Sequence, residues 1–457
     1  MTETNDFRSK APEPDPPRPY HFPAIERETL PNGLRVLVAE NHNAAIVSFR
    51  LLVRSGADHD GANPGLASLT ADLLDEGAGD RDGVRLAEDF GALGASLASG
   101  SDWDASYISL DVLSRNVDAV SPIFSDVVQR PTFPLDALER IRQERLTEIV
   151  QQRDEPAAIA SKRFSGFLYA GTSYGNPIIG NTESVAAITA EAIRSFNASH
   201  YVPNNASLVV AGDVAAAHII GLVRQAFGGW TGGSEPVRAA IRPRILEGSR
   251  IYLIDRPQAV QSEIRIGHVG VPRSSEDYFP LFIMNALLGG VFNSRINLNL
   301  RERHGYTYGA RSSFSFRRDA GPFVVSAPVR NEVTRESVAE VLSELRRIRT
   351  GDIEVQELAD TKNYLMGVFP ATVQTSSDVA GRLLDMELYG LPQDYFDSYR
   401  ENIARVDETA IARVAKKYID PERLLIVVVG SASQIREPLG ALGLTIDEYD
   451  IEGHPIS

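Results

Sequence analysis

Arg301 and Tyr308 are the side chains of this sequence whose chemistry suits holding a peptide bond. A guanidinium and a phenol both donate hydrogen bonds, and a peptide carbonyl accepts them. The same pair also fits a plainer interpretation, in which the arginine is a surface charge and the tyrosine is a partly buried core ring. Their types and spacing leave both interpretations open.

The two side chains are predicted to meet where a helix turns into a strand. Ile296, Leu300 and Arg303 are spaced for one side of a helix, and Gly305 is typical of a helix C-terminus. Residues 306–316 alternate small, aromatic and polar side chains, which favours a strand. Such a turn would direct a guanidinium at the end of a helix and a phenol at the start of a strand toward one point.

Histidine spacing argues against a zinc site in this chain. No two of the eight histidines are close enough for a helical zinc motif. The absence of cysteine excludes both thiolate zinc sites and disulfides. The histidines are residues 21, 42, 59, 200, 218, 268, 304 and 454.

The composition predicts a globular protein with about two or three domains. The chain has 457 residues, of which 43% are hydrophobic and 23% are charged. A formal net charge of −15 argues against a nucleic-acid partner. No apolar run approaches the roughly 20 residues that span a bilayer, so no membrane partner is expected.

Residues 1–24 are predicted to form a proline-rich arm. Residues 11–23 contain six prolines, which excludes a helix or a central strand there. The arm would be a disordered tail or a strap along a partner subunit. Residues 1–10 are polar and lack the apolar core of a secretory signal. The expected location is the cytoplasm, or the periplasm if a leader precedes the numbered sequence.

The two halves of the sequence repeat each other at an offset of about 218 residues. A helix, a turn and an apolar strand at residues 190–212 match those at residues 409–430. The strand at 262–269 likewise matches the one at 45–52. The glycine-rich stretch at 228–236 is the strongest linker signal between the halves. The pattern indicates a duplicated domain.

Residues 289–309 resemble the C-terminal half of the insulinase/pitrilysin-type zinc metallopeptidases. In that family the motif reads G-G-x-x-x-S-R-L and then L-R-E-x-x-G-L-x-Y. The resemblance implies that Arg301 and Tyr308 bind the substrate backbone opposite the zinc. Tyr306 stands where the family has an apolar residue. The match is carried by Gly289-Gly290, Ser294-Arg295, Leu300-Arg301-Glu302 and Gly305-Tyr306-Thr307-Tyr308.

The first half departs from the family at its inverted zinc motif, H-x-x-E-H. By the resemblance, Ser68 and Asp72 replace the two histidines. Ala71 replaces the glutamate that acts as the general base. The third ligand position falls near Gln143, with glutamates close by. No catalytic zinc and no other cofactor are therefore expected in this chain.

The predicted fold is α+β, with two duplicated domains that together resemble one half of an insulinase-like clamshell. Each domain would be a mainly antiparallel sheet with helices packed on one face. The predicted segments are the arm at 1–24, an N-terminal domain at 25–230, a linker at 231–249, a C-terminal domain at 250–442 and a tail at 443–457.

The predicted function is that of a non-catalytic subunit of a heteromeric zinc metallopeptidase. Arg301 and Tyr308 would bind and polarise a peptide in the zinc site of a homologous partner that carries H-x-x-E-H. Zinc is expected in that partner, within a heterodimer or a larger assembly, and no zinc peptidase activity is expected from this chain alone. Two alternatives stay open: an inactive structural subunit, like the core proteins of a respiratory complex, and a stand-alone peptide-binding protein.

Overall fold

The structure, a computed structural model, describes residues 20–456. The predicted arm lies outside the described residues up to residue 19. Its last residues pack on the second half of the same chain. The buried ring of Phe22 stacks on Phe396 with 5.1 Å between centroids, and the Phe22 amide donates to the Asp397 carboxylate at 3.1 Å.

Most strands of the described chain belong to two six-stranded sheets. The short strands β4 and β5 form a separate hairpin. In chain order the strands are β1 Ile25–Thr29, β2 Arg35–Glu40, β3 Ile46–Val53, β4 Gly77–Ala78, β5 Arg81–Asp82, β6 Ser96–Ser101, β7 Ser106–Leu113, β8 Ala206–Gly212, β9 Arg250–Asp255, β10 Gln261–Val269, β11 Arg311–Phe314, β12 Pro322–Arg330, β13 Leu425–Gly430 and β14 Thr445–Tyr449.

The helices lie between these strands in the chain, and several of them follow one another directly. Two segments, Ala286–Gly290 and Leu298–Arg303, are π-helical and flank α10. In chain order the helices are α1 Leu66–Asp72, α2 Gly83–Ala92, α3 Val117–Gln129, α4 Leu135–Gln152, α5 Pro156–Leu168, α6 Thr182–Ala187, α7 Ala190–His200, α8 Ala216–Phe227, α9 Tyr278–Asn285, α10 Arg295–Asn297, α11 Thr334–Arg349, α12 Val355–Val368, α13 Ser376–Tyr389, α14 Tyr399–Ala404, α15 Glu408–Tyr418 and α16 Ala432–Gly440.

The two sheets have equivalent strand orders, which confirms the duplication. The first sheet runs β1-β2-β8-β3-β7-β6, and the second runs β14-β9-β13-β10-β12-β11. In each sheet the long central strands pair antiparallel, and one inner pair is parallel, β2 with β8 and β9 with β13. Every residue of β8 and β13 is buried, as expected for central strands that are covered on both faces.

Two local predictions were wrong. The predicted tail at 443–457 contains β14, which pairs in parallel with β9 from Thr445 opposite Arg250. The strand predicted at 306–316 is shorter and covers only β11, so Tyr308 lies in the loop before it. In both places the pairing with neighbouring strands decided where a strand forms, because the local alternation of side chains left this ambiguous.

One face of each sheet packs on helices of its own half, as predicted. In the first half, Phe49 and Leu110 on the sheet share a core with Leu69 on α1 and Phe124 on α3. In the second half, Ile266 and Ile426 share a core with Leu281 on α9 and Val341 on α11. The side chains alternate along the strands, so every second residue points into these cores.

The opposite face of each sheet is covered by a helix from the other half, which the sequence did not reveal. From the first half, α5 places Phe164 against Val427 of the second sheet. From the second half, α13 places Leu383 against Leu52 and Val209 of the first sheet. Each half therefore completes the core of the other.

The segment 231–249 contains no helix or strand, and Arg238 is one of the residues that anchor it between the halves. The Arg238 guanidinium contacts the Asp58 carboxylate at 2.6 Å and the Asp319 carboxylate at 2.8 Å. It also donates to the Tyr174 hydroxyl at 3.3 Å. Because Asp58 and Asp319 lie in different halves, this arginine ties the connection to both.

Among residues 20–456, the helical segment Tyr278–Arg303 is long and apolar enough to cross a membrane by length and composition. Its most apolar stretch has a mean hydropathy of 1.2, and 56% of that stretch is buried inside the fold. Leu281, Leu288 and Ile296 from this segment belong to the core of the second half. The apolar character is accounted for by packing under the second sheet.

Replacing Leu383 by alanine tests the exchange of helices. The side chain is fully buried against the first sheet, and its loss leaves a cavity. We expect the free energy of unfolding to fall by about 2–5 kcal/mol. Urea unfolding followed by the fluorescence of Trp103 and Trp230, both in the first half, measures the effect on the sheet that α13 covers. Val355→Ala, at a position that is 72% exposed, is the control; an unchanged midpoint for Leu383→Ala would contradict the exchange.

Candidate functional site

Arg301 lies on a helix that is wound more widely than an α-helix. After α10, the chain continues as the π-helical turn Leu298–Arg303, and Leu300 is buried beneath it. The turn ends as predicted at Gly305, whose φ of +62° lies in the left-handed region that glycine adopts without strain. The Tyr306 amide donates to the Leu300 carbonyl at 2.8 Å and closes the turn. π-Helical turns of this kind are frequent at functional sites.

A buried asparagine joins the two loops that flank this turn. The Asn297 side-chain amide donates to the Phe292 carbonyl at 2.7 Å. Its side-chain oxygen accepts from the Ala310 amide at 3.0 Å. Asn297 therefore fixes the loop of Phe292 against the loop of Tyr308. We did not identify it from the sequence, where an asparagine on a helix is typical of an exposed position.

Gly289 owes its place to close packing against β11. A side-chain carbon at this position would lie 2.5 Å from the Ser312 amide nitrogen, which leaves room only for glycine. The adjacent Asn285 also contacts Ser312, accepting from its hydroxyl at 2.8 Å. The Gly-Gly motif thus seats the helix that precedes the site directly on the edge strand.

Arg301 and Tyr308 line the same two adjoining cavities, of ≈ 580 Å³ and ≈ 480 Å³. The Arg301 guanidinium stacks on the Phe292 ring, 4.6 Å from its centroid. It also lies 3.3 Å from the Glu302 carboxylate. Tyr308 is 93% exposed, so its phenol is free to meet a ligand. We call these two cavities the Arg301 groove.

The Tyr306 side chain has a mainly structural role. Its ring stacks on His304 with 4.9 Å between centroids, and it packs against the core of the second half. It contributes only to the wall of the smaller cavity. The plainer interpretation of a partly buried ring therefore describes Tyr306, whereas Tyr308 is exposed.

The Arg301 groove is basic. Arg311 lines the larger cavity and Arg330 the smaller one, in addition to Arg301 itself. The floor of the larger cavity holds Arg265, which is paired with Glu263 at 2.9 Å. Donors and positive charge in one groove suit a peptide carbonyl and any negative charge that develops on it.

The predicted positions of the degenerate zinc motif, Ser68, Ala71 and Asp72, lie on α1. Gly65 begins the helix with a φ of +97°. The buried Asp60 carboxylate accepts hydrogen bonds from the amides of Gly65 and Ala67, both at 2.7 Å. Burial raises the pKa of Asp60 to about 7, while those two amides act in the opposite direction. Ala71 is fully buried, and its carbonyl accepts from the Ser99 hydroxyl at 2.8 Å.

A guanidinium joins the two positions that the family gives to zinc-binding histidines. Arg145 on α4 donates to the Ser68 hydroxyl at 3.0 Å and also pairs with the Asp72 carboxylate. Its Nε lies 3.4 Å from the Glu148 carboxylate. Arg145 was missed by the sequence analysis, although it lies two residues from the predicted ligand position at Gln143, which is exposed.

The donor set around Arg145 does not fit zinc. Ser68 and Asp72 already bind a cation of the protein itself, and no imidazole is part of the set. Within residues 20–456, no group of three or more His, Cys, Asp or Glu side chains is placed to hold a metal ion. Burial raises the pKa of Asp72, and Arg145 acts in the opposite direction.

Arg145→Met tests whether this guanidinium holds the site together. Without it the half-buried Asp72 carboxylate has lost its cation, and we expect the free energy of unfolding to fall by about 2–4 kcal/mol at neutral pH. The deficit should shrink as the pH approaches about 4, because Asp72 is then protonated in the unfolded chain and more fully in the folded one. Chemical denaturation at both pH values measures this. Arg140→Met, on the exposed side of α4, is the control, and equal losses in both variants would refute the role of Arg145.

Comparison with known proteins places these features in a family. Residues 35–182 match the profile described as insulinase (peptidase family M16), and residues 187–365 match the profile described as the peptidase M16 inactive domain. An uncharacterized zinc protease of Mycobacterium leprae is 27% identical over 400 residues, which cover 85% of this chain and 87% of that protein. A similar protein of Streptomyces coelicolor is 23% identical over 410 residues, with 88% and 89% coverage.

Solved structures show the same fold. The crystal structure of a peptidase M16 inactive domain from Pseudomonas fluorescens has a TM-score of 0.84 and 27% identity, and the alignment covers 89% of this chain and 98% of that one. A protease from Helicobacter pylori has a TM-score of 0.84 at 20% identity, with 90% and 100% coverage, and supports the fold alone. The chain therefore belongs to the insulinase family of peptidases, family M16, and its residues 187–365 match the inactive domain of that family.

Proposed function

We propose that this chain is the non-catalytic subunit of a heteromeric zinc peptidase. Arg301 and Tyr308 would bind and polarise the peptide in the zinc site of a homologous partner that carries H-x-x-E-H. The observation that carries the proposal is the contrast between two arginines. Arg145 joins Ser68 and Asp72, the two positions predicted to correspond to the metal-binding histidines, whereas Arg301 and Tyr308 line an open groove.

The Arg301 groove would supply the partner's zinc site with hydrogen-bond donors for the substrate. When the scissile carbonyl is attacked, negative charge develops on its oxygen. The guanidinium of Arg301 and the hydroxyl of Tyr308 are donors for that oxygen. Stacking on Phe292 holds the guanidinium in place before the peptide arrives, so less side-chain entropy is lost on binding. A zinc ion held by the partner would supply the activated water.

A second candidate is a stand-alone peptide-binding protein. It is favoured by one observation: the Arg301 groove is lined almost entirely by the second half of this chain, with Ala157 from the first half on its wall. A peptide would then be held without a partner. The structural-subunit alternative predicts no role for either side chain, which makes it an outcome of the same test.

Co-expression with the nearest H-x-x-E-H homologue of the same genome tests the proposal. Peptide cleavage is assayed for each chain alone and for the mixture. We expect activity only in the mixture. Arg301→Ala should lower kcat/KM about 10²- to 10³-fold, since it removes a donor used in the transition state. Tyr308→Phe should act in the same direction.

Arg303→Ala is the matched control, because Arg303 lies on the same π-helical turn but lines neither cavity. Gel filtration checks that each variant still forms the complex. Zinc-dependent cleavage by this chain alone would overturn the proposal. A stable complex without cleavage would favour the structural subunit, and Arg301-dependent peptide binding without a complex would favour the stand-alone protein.

A further inference from the structure

A third cavity continues the Arg301 groove on the far side of Phe292. Its volume is ≈ 410 Å³. It shares Val291 and Phe292 with the larger cavity of the groove, so a peptide lying in one reaches the other. We call it the α12 pocket, since its remaining wall is the first part of α12. The wall residues on and just before that helix are Glu354, Gln356, Glu357, Asp360, Thr361 and Tyr364.

One of the three carboxylates of the α12 pocket is already neutralised. Glu357 receives two contacts from the Arg295 guanidinium, at 2.7 Å and 2.5 Å. Arg295 is buried and also donates to the Asp352 carbonyl at 2.7 Å, so this pair belongs to the framework of the pocket. It holds α12 against the helix that leads to Arg301.

The other two carboxylates leave the α12 pocket negatively charged. Glu354 and Asp360 are exposed on its wall. The Asp360 carboxylate accepts from the Gln356 amide at 2.8 Å, which is a neutral partner and leaves the charge in place. The pocket therefore has the opposite sign to the Arg301 groove beside it.

Aromatic side chains complete the walls. Phe292 is 64% exposed and Tyr364 is 55% exposed, which is unusual for rings of this size. Phe292 already stacks on one guanidinium, that of Arg301. Aromatic faces beside carboxylates are the surroundings that attract a Lys or Arg side chain, through cation–π contact and charge together.

We propose that the α12 pocket receives a lysine or arginine side chain of the peptide whose carbonyl Arg301 holds. The proposal rests on the proposed function and adds a substrate class to it. Arg311 and Arg330 repel a basic side chain from the Arg301 groove, while Glu354 and Asp360 attract it to the α12 pocket. Opposite charges on the two sides of Phe292 thus fix the direction in which a peptide lies.

The test measures binding of short extended peptides by fluorescence anisotropy to the complex of this chain with the H-x-x-E-H partner, whose glutamate is replaced by glutamine so that the peptides stay intact. Two peptides differ only at one central residue, which is lysine in one and norleucine in the other; norleucine keeps the four-carbon stem but lacks the ammonium group. We expect the lysine peptide to bind about tenfold more tightly. The preference should weaken as salt is added, because the two carboxylates are exposed.

The double variant Glu354→Gln, Asp360→Asn should reduce the preference for lysine over norleucine to about twofold or less. Glu235→Gln, Glu437→Gln is the matched control, since it removes the same charge at exposed positions elsewhere and should keep the full preference.

Arg301→Ala separates the α12 pocket from the proposed function. It should weaken both peptides to the same extent and leave their ratio unchanged. Binding that depends on Arg301 but does not distinguish lysine from norleucine would overturn the α12 pocket alone. No binding of either peptide would overturn the pocket together with the peptide-holding part of the proposed function.

Discussion

Burial of the second face of each sheet under a helix from the other half is the interaction on which the remaining structure depends. An apolar sheet face left in water would cost about 25 cal/mol for each Å² of its surface. Helices α5 and α13 remove that exposure reciprocally, so neither half is complete alone. The exchange also reaches the candidate site, because the Arg265 guanidinium in the floor of the groove donates to the Ala157 carbonyl of α5 at 3.2 Å.

Each of the duplicated halves contains an arginine at its site, and the two arginines have opposite environments. In the first half, Arg145 is buried and bound by Ser68 and Asp72, so a cation belonging to the protein joins the two positions predicted to correspond to metal ligands. In the second half, Arg301 remains accessible on a π-helical turn that Asn297 and Gly289 hold in place. One half has closed its site, and the other has kept donors open to a ligand.

The open site is organised by the ring of Phe292, which separates regions of opposite charge. Arg301 stacks on this ring at the basic side, and the α12 pocket begins at the acidic side. Opposite charges on the two sides of the ring would favour one direction of a bound peptide more than they would add to its total affinity. The packing of the two halves thus positions a short row of polar groups on both sides of Phe292.

The sequence by itself determined the two duplicated α+β halves and the end of the helix at Gly305, and it predicted that Ser68 and Asp72 stand where the family has histidines. Local periodicity and residue chemistry carry that information, because they act within one element or at one position. Only the tertiary structure decided the exchange of α5 and α13, the addition of β14 to a sheet edge, the placement of Arg145 between Ser68 and Asp72, and the role of Asn297. Each of these contacts joins residues that are far apart in the chain or on different elements. A single sequence holds no local signal for the distant surface that a helix covers, or for the buried polar group that a guanidinium meets.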